Sequence, residues 1–532
     1  MIDLYYDRPD NEYPKHKTVT IDIEIETYVG FPSIVDVDNK ITAIAMYYDI
    51  SDSYYVFVLD EDYRVQNKNT FHPKDNTKII LKRFDTESEL LEDFLNVFEE
   101  LRPTILTGWN VDFFDMPYLI RRIARLIGQT NASRFSPIGK IEFSEFRNRF
   151  NIAGLAVLDY LSLYKKFTYI RKPSYRLGEI CKAEVGEDKL EFDGTLQNLF
   201  ETDIEKYIEY NINDVALVVK LDNKRKLLDL VIGISHKGKI PYEDIYYSSR
   251  YLEGAILTEL KKKNLVAINK PEKAVYNKED KFVGAHVKEP IPGKYDWVFD
   301  LDLTSLYPSI IMSLNISPET KIGKIHDWNS NDFVNNIDRT FEVYSFEFNK
   351  TAKLSTKELK GFLEDTEYTV AANGVMYVSK SKKLGILPEI LDKWFLERVE
   401  YKNLMKKHGK NKDKNPRDND KFEFYDKLQE IQKQLLNSLY GVLGLSIFRF
   451  YDLDNAIATT LSGQAIIKFT EKMGNEFYSK IINADEDFIY EIELENGQII
   501  KKNENDIATV IRHGKEIEIL MKNVENTDDF LK

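Results

Sequence analysis

Asp22 and Glu24 stand at i and i+2 of TVTIDIEIETYVG (18–30). An extended backbone sends both carboxylates out of one face. Two divalent cations held about 4 Å apart need several shared carboxylates, and one strand can supply two of them. TGWNVDFFD (107–115) adds Asn110 and Asp115 at the close of a short apolar run, and YIEYNIND (207–214) places Tyr210 and Asp214 at i and i+4. That spacing puts a phenol and a carboxylate on one helical face, where they could orient a water for attack on phosphorus. Read singly, each piece is equally a solvated strand face, a capped loop or a polar helix face. The ordered series D-x-E, N-x-x-x-F-D, Y-x-x-x-D is much less expected by chance.

A second group lies further along. Asp302 follows the apolar run WVFDLDL (297–303) and precedes a turn. Arg398, Lys402 and Lys406 recur every four residues, a basic stripe on one helical face. Lys433, Asn437, Tyr440 and Gly441 share a face of a second helix. Two such helices facing one another could clamp a triphosphate through charge-assisted hydrogen bonds. Taken alone, Asp302 is equally a turn cap and the lysines a solvated face.

Elements must position these groups. Alternation of Ile21, Ile23 and Ile25 with Asp22, Glu24 and Glu26 predicts a strand. Strands are also expected at 41–48, 54–59 and near 104–109, with helices over 86–101 behind a Thr cap and over 116–127. Strands alternating with helices imply an α/β unit. Residues 140–157 could form a hairpin around Asn151. A long helix is expected over 203–232, and the pattern breaks at 233–245, where a domain junction is placed. Helices are expected at 386–407 and 421–441, joined by the polar turn KNKDKNPRDND. YEIELENGQIIKK reads as a hairpin about Asn496-Gly497, and GKEIEIL as a further strand.

The chain has 532 residues, enough for three or four domains at roughly 150 residues each. Its one cysteine, Cys181, excludes an intrachain disulfide and a cysteine-based zinc site, and suits a reducing compartment. The first residues lack the apolar stretch of a secretory signal, and no apolar run approaches the roughly 18 residues of a membrane span. A net charge of −14 argues against a nucleic-acid partner on average, but a metal-dependent phosphoryl-transfer site itself demands carboxylates.

The first series resembles the three motifs of the proofreading exonuclease of family B DNA polymerases. RFSPIG (134–139) and LDYLSLYKKF (158–167) resemble the branch found in large tailed phages. The resemblance implies an RNase H-like 3′-5′ exonuclease domain followed by an incomplete palm and two-helix fingers, an α/β multi-domain fold. It implies Asp22, Glu24, Asp115 and Asp214 as metal ligands, with Tyr210 orienting the attacking water. The 140–157 hairpin would help part primer from template. DLTSLYPS (302–309) resembles the first palm motif. Asp302 is then a ligand of both polymerase metals, Ser305 and Leu306 offer amides to the triphosphate, and Tyr307 lies under the sugar and excludes a 2′-hydroxyl. KQLLNSLYG (433–441) resembles the fingers motif. Arg398, Lys402 and Lys433 would grip the phosphates, Asn437 support that grip, and Tyr440 pack on the nascent base pair beside Gly441. Two Mg²⁺ per site are implied, with Mn²⁺ an alternative. The implied partners are primer–template and single-stranded DNA and dNTPs, in the cytoplasm of a bacterial host.

Two departures shape the expectation. The exonuclease strand begins at residue 18, after only a stub (1–17). The D-T-D motif that supplies the second palm aspartate occurs nowhere in the chain. The expected order is exonuclease 18–232, connecting segment 233–280, palm 281–384, fingers 385–445, palm again 446–489, and a β-rich tail 490–532. The tail's hairpins resemble the middle of intein-type domains, although no Cys or Ser nucleophile stands at the junction. A replacement tail covering the incomplete palm is the other reading. The chain is thus expected to be the N-terminal part of a split phage-type replicative polymerase, with a second polypeptide carrying the D-T-D motif and thumb. The rivals are a standalone 3′-5′ exonuclease and a non-catalytic nucleic-acid-binding remnant.

Overall fold

In the computed structural model the described residues are 16–28, 32–65, 77–168, 171–270, 284–294, 301–412, 415–482 and four strands between 490 and 520. The N-terminal unit opens with β1 (Thr18–Ile25), β2 (Ile41–Tyr48), β3 (Ser53–Leu59) and β4 (Lys78–Phe84). Helix α1 (Glu87–Leu101) follows, with Thr86 accepting from the Glu89 amide as its cap. Next come β5 (Ile105–Gly108), α2 (Asp115–Leu126), the single turn α3 (Gln129–Ala132), the hairpin β6 (Ile141–Ser144) and β7 (Arg149–Ile152), and β8 (Ala156–Asp159). The main sheet runs in the order β4-β3-β2-β1-β5-β8. β1 lies antiparallel to β2 and parallel to β5.

The alternation of β1 divides its side chains between two layers. Ile21, Ile23 and Ile25 pack with Leu91, Phe94, Leu119 and Ile123 of α1 and α2. The opposite face is covered by a later helix. The chain reaches it through α4 (Tyr160–Phe167), α5 (Leu177–Glu184) and α6 (Leu196–Thr202), and then α7 (Ile204–Arg225) crosses the sheet. Ile204, Ile208, Ile212 and Val215 of α7 bury against Ala45, Tyr54, Val56 and Val58. Each such side chain contributes about 1.5–3 kcal/mol, which holds α7 down on the acidic face of β1.

The helix expected over 203–232 is two helices. Lys226 takes a left-handed conformation (φ 52°), and α8 (Leu227–Gly238) starts in a new direction. Residues 233–238, expected to lie past the helix, continue it, because Ile234 and Ser235 are buried. A 3₁₀ turn, Tyr242–Tyr246, leads into α9 (Ser248–Lys262).

The second half begins with α10 (Leu306–Leu314). Of the strand expected at WVFDLDL, 297–300 lie outside the described residues, and Leu301–Leu303 have no regular structure. A five-stranded sheet follows in the order β11-β10-β9-β13-β12, built from β9 (Lys321–His326), β10 (Thr340–Ser345), β11 (Lys350–Ser355), β12 (Tyr368–Val370) and β13 (Val375–Val378). The short α11 (Ser330–Val334) and the box-capped α12 (Thr356–Thr366) flank it. Two long helices, α13 (Ile386–Gly409) and α14 (Pro416–Leu443), then pack on one another. Asn415 caps α14 with Pro416 at its first position, which sets the turn expected between them. Helix α15 (Leu453–Ile482) follows. The tail forms β14 (Tyr490–Glu493), β15 (Ile499–Lys502), β16 (Ile507–Arg512) and β17 (Lys515–Leu520), joined antiparallel in that order. The expected Asn496-Gly497 turn lies outside the described residues.

Candidate active site

Packing α7 on β1 brings three of the four expected carboxylates of the first series together. Asp22, Glu24 and Asp214 each present an oxygen within 4.8 Å of the others. Asn211, one turn before Asp214, donates to Asp22 Oδ2 at 2.8 Å. Tyr207, a further turn back, meets Thr42 at 2.5 Å, and Thr42 donates to the Glu24 carbonyl at 3.1 Å. One face of α7 therefore props both acidic positions of β1. Glu26, the third acid of that strand, instead accepts from the Lys40 amide at 2.9 Å.

Asp115 stands beside this trio rather than in it. It is the first residue of α2, is 4% exposed, and accepts from the Ile23 amide at 3.2 Å. Asn110, with φ 68°, makes the turn that launches α2. Burial pushes the Asp115 carboxyl up to about 7, against the pull of the Ile23 amide. Burial also raises Asp22 well above the carboxylate range, with Glu24, Asp214 and Asp115 adding repulsion. Glu24 is raised by burial and by Asp214. Such a set is uncomfortable without a cation.

The present cation is Lys189, which sequence reasoning missed. Its Nζ lies 2.5 Å from Asp214 Oδ2 and 2.9 Å from the Tyr210 hydroxyl. Burial alone would lower its pKa, but Asp214 and Tyr210 outweigh that and hold the ammonium charged. Tyr210 is also packed edge-on by Phe192 at 5.4 Å. The other oxygen of Asp214, Oδ1, is buried without a hydrogen-bond partner. An orphaned carboxylate oxygen in a group of three acids fits a hard divalent cation, which takes oxygen ligands. The site opens into a cleft of about 770 Å³ lined by Trp109, Asn110, Tyr175, Arg176 and Lys189 as well as Asp22 and Asp214. Trp109 Nε1 donates to the Tyr175 carbonyl at 3.2 Å, tying two walls of that cleft together.

The second group is assembled more loosely. Tyr307 of α10 and Tyr440 of α14 stack at 4.0 Å between centroids and 16° between planes. The Tyr440 hydroxyl also meets Thr460 at 2.7 Å. Ser305 has φ 51° and forms the left-handed start of α10. Leu306 begins the helix behind it. Arg398 of α13 is half-buried, and its Nε has no hydrogen-bond partner. Beside it Glu397 is engaged with Lys237 at 2.7 Å and Gln432 at 2.5 Å. Lys433 Nζ lies 3.2 Å from Glu430, whereas Lys402, Lys406 and Asn437 are exposed and Gly441 faces open space. Asp302 is exposed and belongs to no three-carboxylate group among the described residues.

The chain is similar to known proteins over most of its length. The family model described as DNA polymerase family B, exonuclease domain, matches residues 2–180, and that for DNA polymerase family B matches 245–511. The second match takes in the strands β14–β16. The DNA-directed DNA polymerase of Escherichia phage RB69 is 31% identical over 539 aligned positions, covering 89% of this chain and 56% of that protein. The DNA-directed DNA polymerase of Enterobacteria phage T4 is also 31% identical, covering 89% and 57%. DNA polymerase 1 of Sulfolobus acidocaldarius is 26% identical, covering 90% and 50%. The chain thus spans little more than half the length of these relatives. With both halves of the described fold matched in order, the chain belongs to DNA polymerase family B.

Proposed function

We propose that the N-terminal unit is a metal-dependent 3′-5′ exonuclease acting on single-stranded DNA ends. The observation that carries this reading is the meeting of Asp22, Glu24 and Asp214, the first and last of them lining a cleft, with Asp214 Oδ1 unpartnered. Asp22, Glu24 and Asp214, with Asp115 beside them, would hold divalent cations, Mg²⁺ or Mn²⁺. When bound, these cations supply Lewis-acid polarisation of the phosphodiester and a lowered pKa of water. The protein's own groups do the rest. Lys189 holds the Asp214 carboxylate and the Tyr210 phenol against one another, so the hydroxyl is placed beside the carboxylates. From there it can orient a water for in-line attack. The Trp109–Tyr175 wall offers aromatic faces to unstacked bases, which suits binding without sequence preference.

The palm and fingers residues support a second activity, template-directed dNTP addition. The specific observation is the Tyr307–Tyr440 stack, which joins α10 to α14, the helix that also carries Lys433 and packs on the Arg398 helix α13. In this reading Asp302 would help hold the divalent cations, Ser305 and Leu306 would present amides, and Tyr307 would lie under the sugar. Arg398, Lys402, Lys433 and Asn437 grip the triphosphate, and Tyr440 with Gly441 lines the base pair. The chain contains no D-T-D motif. The finer reading places the second palm carboxylate and the thumb outside these 532 residues, on a second polypeptide.

The exonuclease is tested with a 5′-labelled single strand, Mg²⁺ and the purified chain beside Asp22→Ala/Glu24→Ala. Shortening from the 3′ end that the double variant abolishes is the expected result. An equal rate in the variant, or no shortening by either protein, refutes the assignment.

A further inference from the structure

The hairpin β6–β7 is joined to the turn that carries Asp115 by a buried ion pair. Arg149 of β7 donates through Nη1 to Asp112 Oδ2 at 3.0 Å, and the two side chains are only 7% and 5% exposed. Its Nη2 donates to the Glu243 carbonyl at 2.9 Å, so the guanidinium also grips the 3₁₀ turn before α9. Asp112 is three residues before Asp115, inside the Asn110–Phe114 turn, and its amide donates to Asp159 Oδ2 at 3.2 Å. From the other side Arg121 of α2 lies over the rings of Phe143 and Phe150, at 5.0 and 5.3 Å. The hairpin thus rests on the helix that Asp115 begins and on the turn before it. At its tip Phe146 is 91% exposed, while Arg147 pairs with Asp244 of the 3₁₀ turn at 2.8 Å.

We infer that Arg149 is a positioning residue for the exonuclease. Through Asp112 it sets where the turn delivers Asp115, so the base of the hairpin governs hydrolysis itself, including that of strands already single. This rests on the exonuclease reading above. A guanidinium fork suits the task because it engages a carboxylate and a carbonyl together in fixed geometry. Partners one step behind a metal ligand commonly alter affinity or turnover by roughly 10- to 100-fold.

The test uses the full chain in three forms, wild type, Arg149→Met/Asp112→Leu and Phe146→Ala, with a single-stranded oligonucleotide that has no partner to melt. Replacing both ions leaves no unpaired buried charge, so the fold is retained while the link is cut. Two readouts are taken: kcat and KM with Mg²⁺, and calorimetric titration with Mn²⁺ alone. The expected result for the double variant is a kcat lowered roughly 10- to 100-fold with KM little changed, and Mn²⁺ binding weakened. Phe146→Ala should match wild type in both. Wild-type kcat and Mn²⁺ binding in the double variant, with any defect confined to paired primers, overturn the inference. If the wild-type chain neither degrades the oligonucleotide nor binds Mn²⁺, the exonuclease reading fails first and takes the inference with it. Arg149→Lys carries the test should the double variant not fold. One ammonium cannot reach both acceptors as the fork does, so an intermediate loss is expected, and wild-type values in both readouts again overturn the proposal.

Discussion

At the residue scale, Lys189 is the side chain whose removal separates two roles. It neutralises Asp214 and it holds Tyr210. Lys189→Met leaves a buried carboxylate beside two others with no compensating charge, and it frees the phenol. Turnover on single strands is expected to fall by roughly 10- to 100-fold, as for other groups that orient a metal ligand. Tyr210→Phe, which removes only the hydroxyl, should cost less. Equal rates for Lys189→Met and wild type would remove the lysine from the mechanism. The carboxylates make a second prediction. Asp22, Glu24, Asp115 and Asp214 all have raised pKa values, Asp115 to about 7. Unfolded, they would titrate near 4. Between about 4 and 7 the folded chain holds protons that the unfolded chain has released, so folding stability declines as pH rises through that window. Scanning calorimetry in EDTA should show the N-terminal unit melting lower at pH 8 than at pH 5. Mn²⁺ binds the deprotonated set, so it should narrow or reverse the difference. A melting temperature that is flat with pH, with or without Mn²⁺, would mean that burial does not raise these carboxyls.

At the element scale, the strongest determinant is the crossing of α7 over β1, and the two elements were not equally legible. The period of two in TVTIDIEI predicts both the strand and the shared face of Asp22 and Glu24, because a half-buried strand must alternate. The i, i+4 pair Tyr210 and Asp214 is likewise visible, since its helix has a clear apolar face. Lys189 was not. It lies between α5 and α6 outside regular structure, and its contacts are 21 and 25 residues away, so no period marks it. The break at Lys226 was equally silent. No Gly or Pro stands there, and only tertiary packing forces the lysine to φ 52°. A left-handed non-glycine residue is strained, which makes the break testable. Lys226→Gly should stabilise the chain by about 1 kcal/mol, and Lys226→Val should destabilise it, both read from urea midpoints. Ser305, at φ 51°, makes the matching case before α10. Ser305→Gly should preserve the entry to that helix, whereas a β-branched residue there should disturb Tyr307 and its stack.

At the scale of the whole molecule, the question is whether two active sites are equally complete within these residues. The exonuclease reading needs four carboxylates, a phenol and a cleft; three of the carboxylates meet where α7 crosses β1, Asp115 at the start of α2 lies beside them, and Asp22 and Asp214 line the cleft. The polymerase reading needs two palm carboxylates to carry two cations through an in-line displacement. It has Asp302, an exposed residue outside any described carboxylate group, and no D-T-D motif in 532 residues. The α13–α14 pair is better equipped, with Arg398 holding an unpartnered Nε and α13 packed along α14. A triphosphate could therefore be gripped without being consumed. This leads to an asymmetric expectation for the chain given a primer–template, Mg²⁺ and all four dNTPs. The primer should shorten and should not lengthen. A second polypeptide carrying a D-T-D palm segment and thumb should restore extension, and Asp302→Asn in this chain should abolish the restored activity while leaving shortening untouched. Extension by this chain alone would mean that a carboxylate within it already occupies the second palm position, and the divided-polymerase reading would fall. Restored extension that survives Asp302→Asn would instead locate the whole polymerase centre on the added polypeptide.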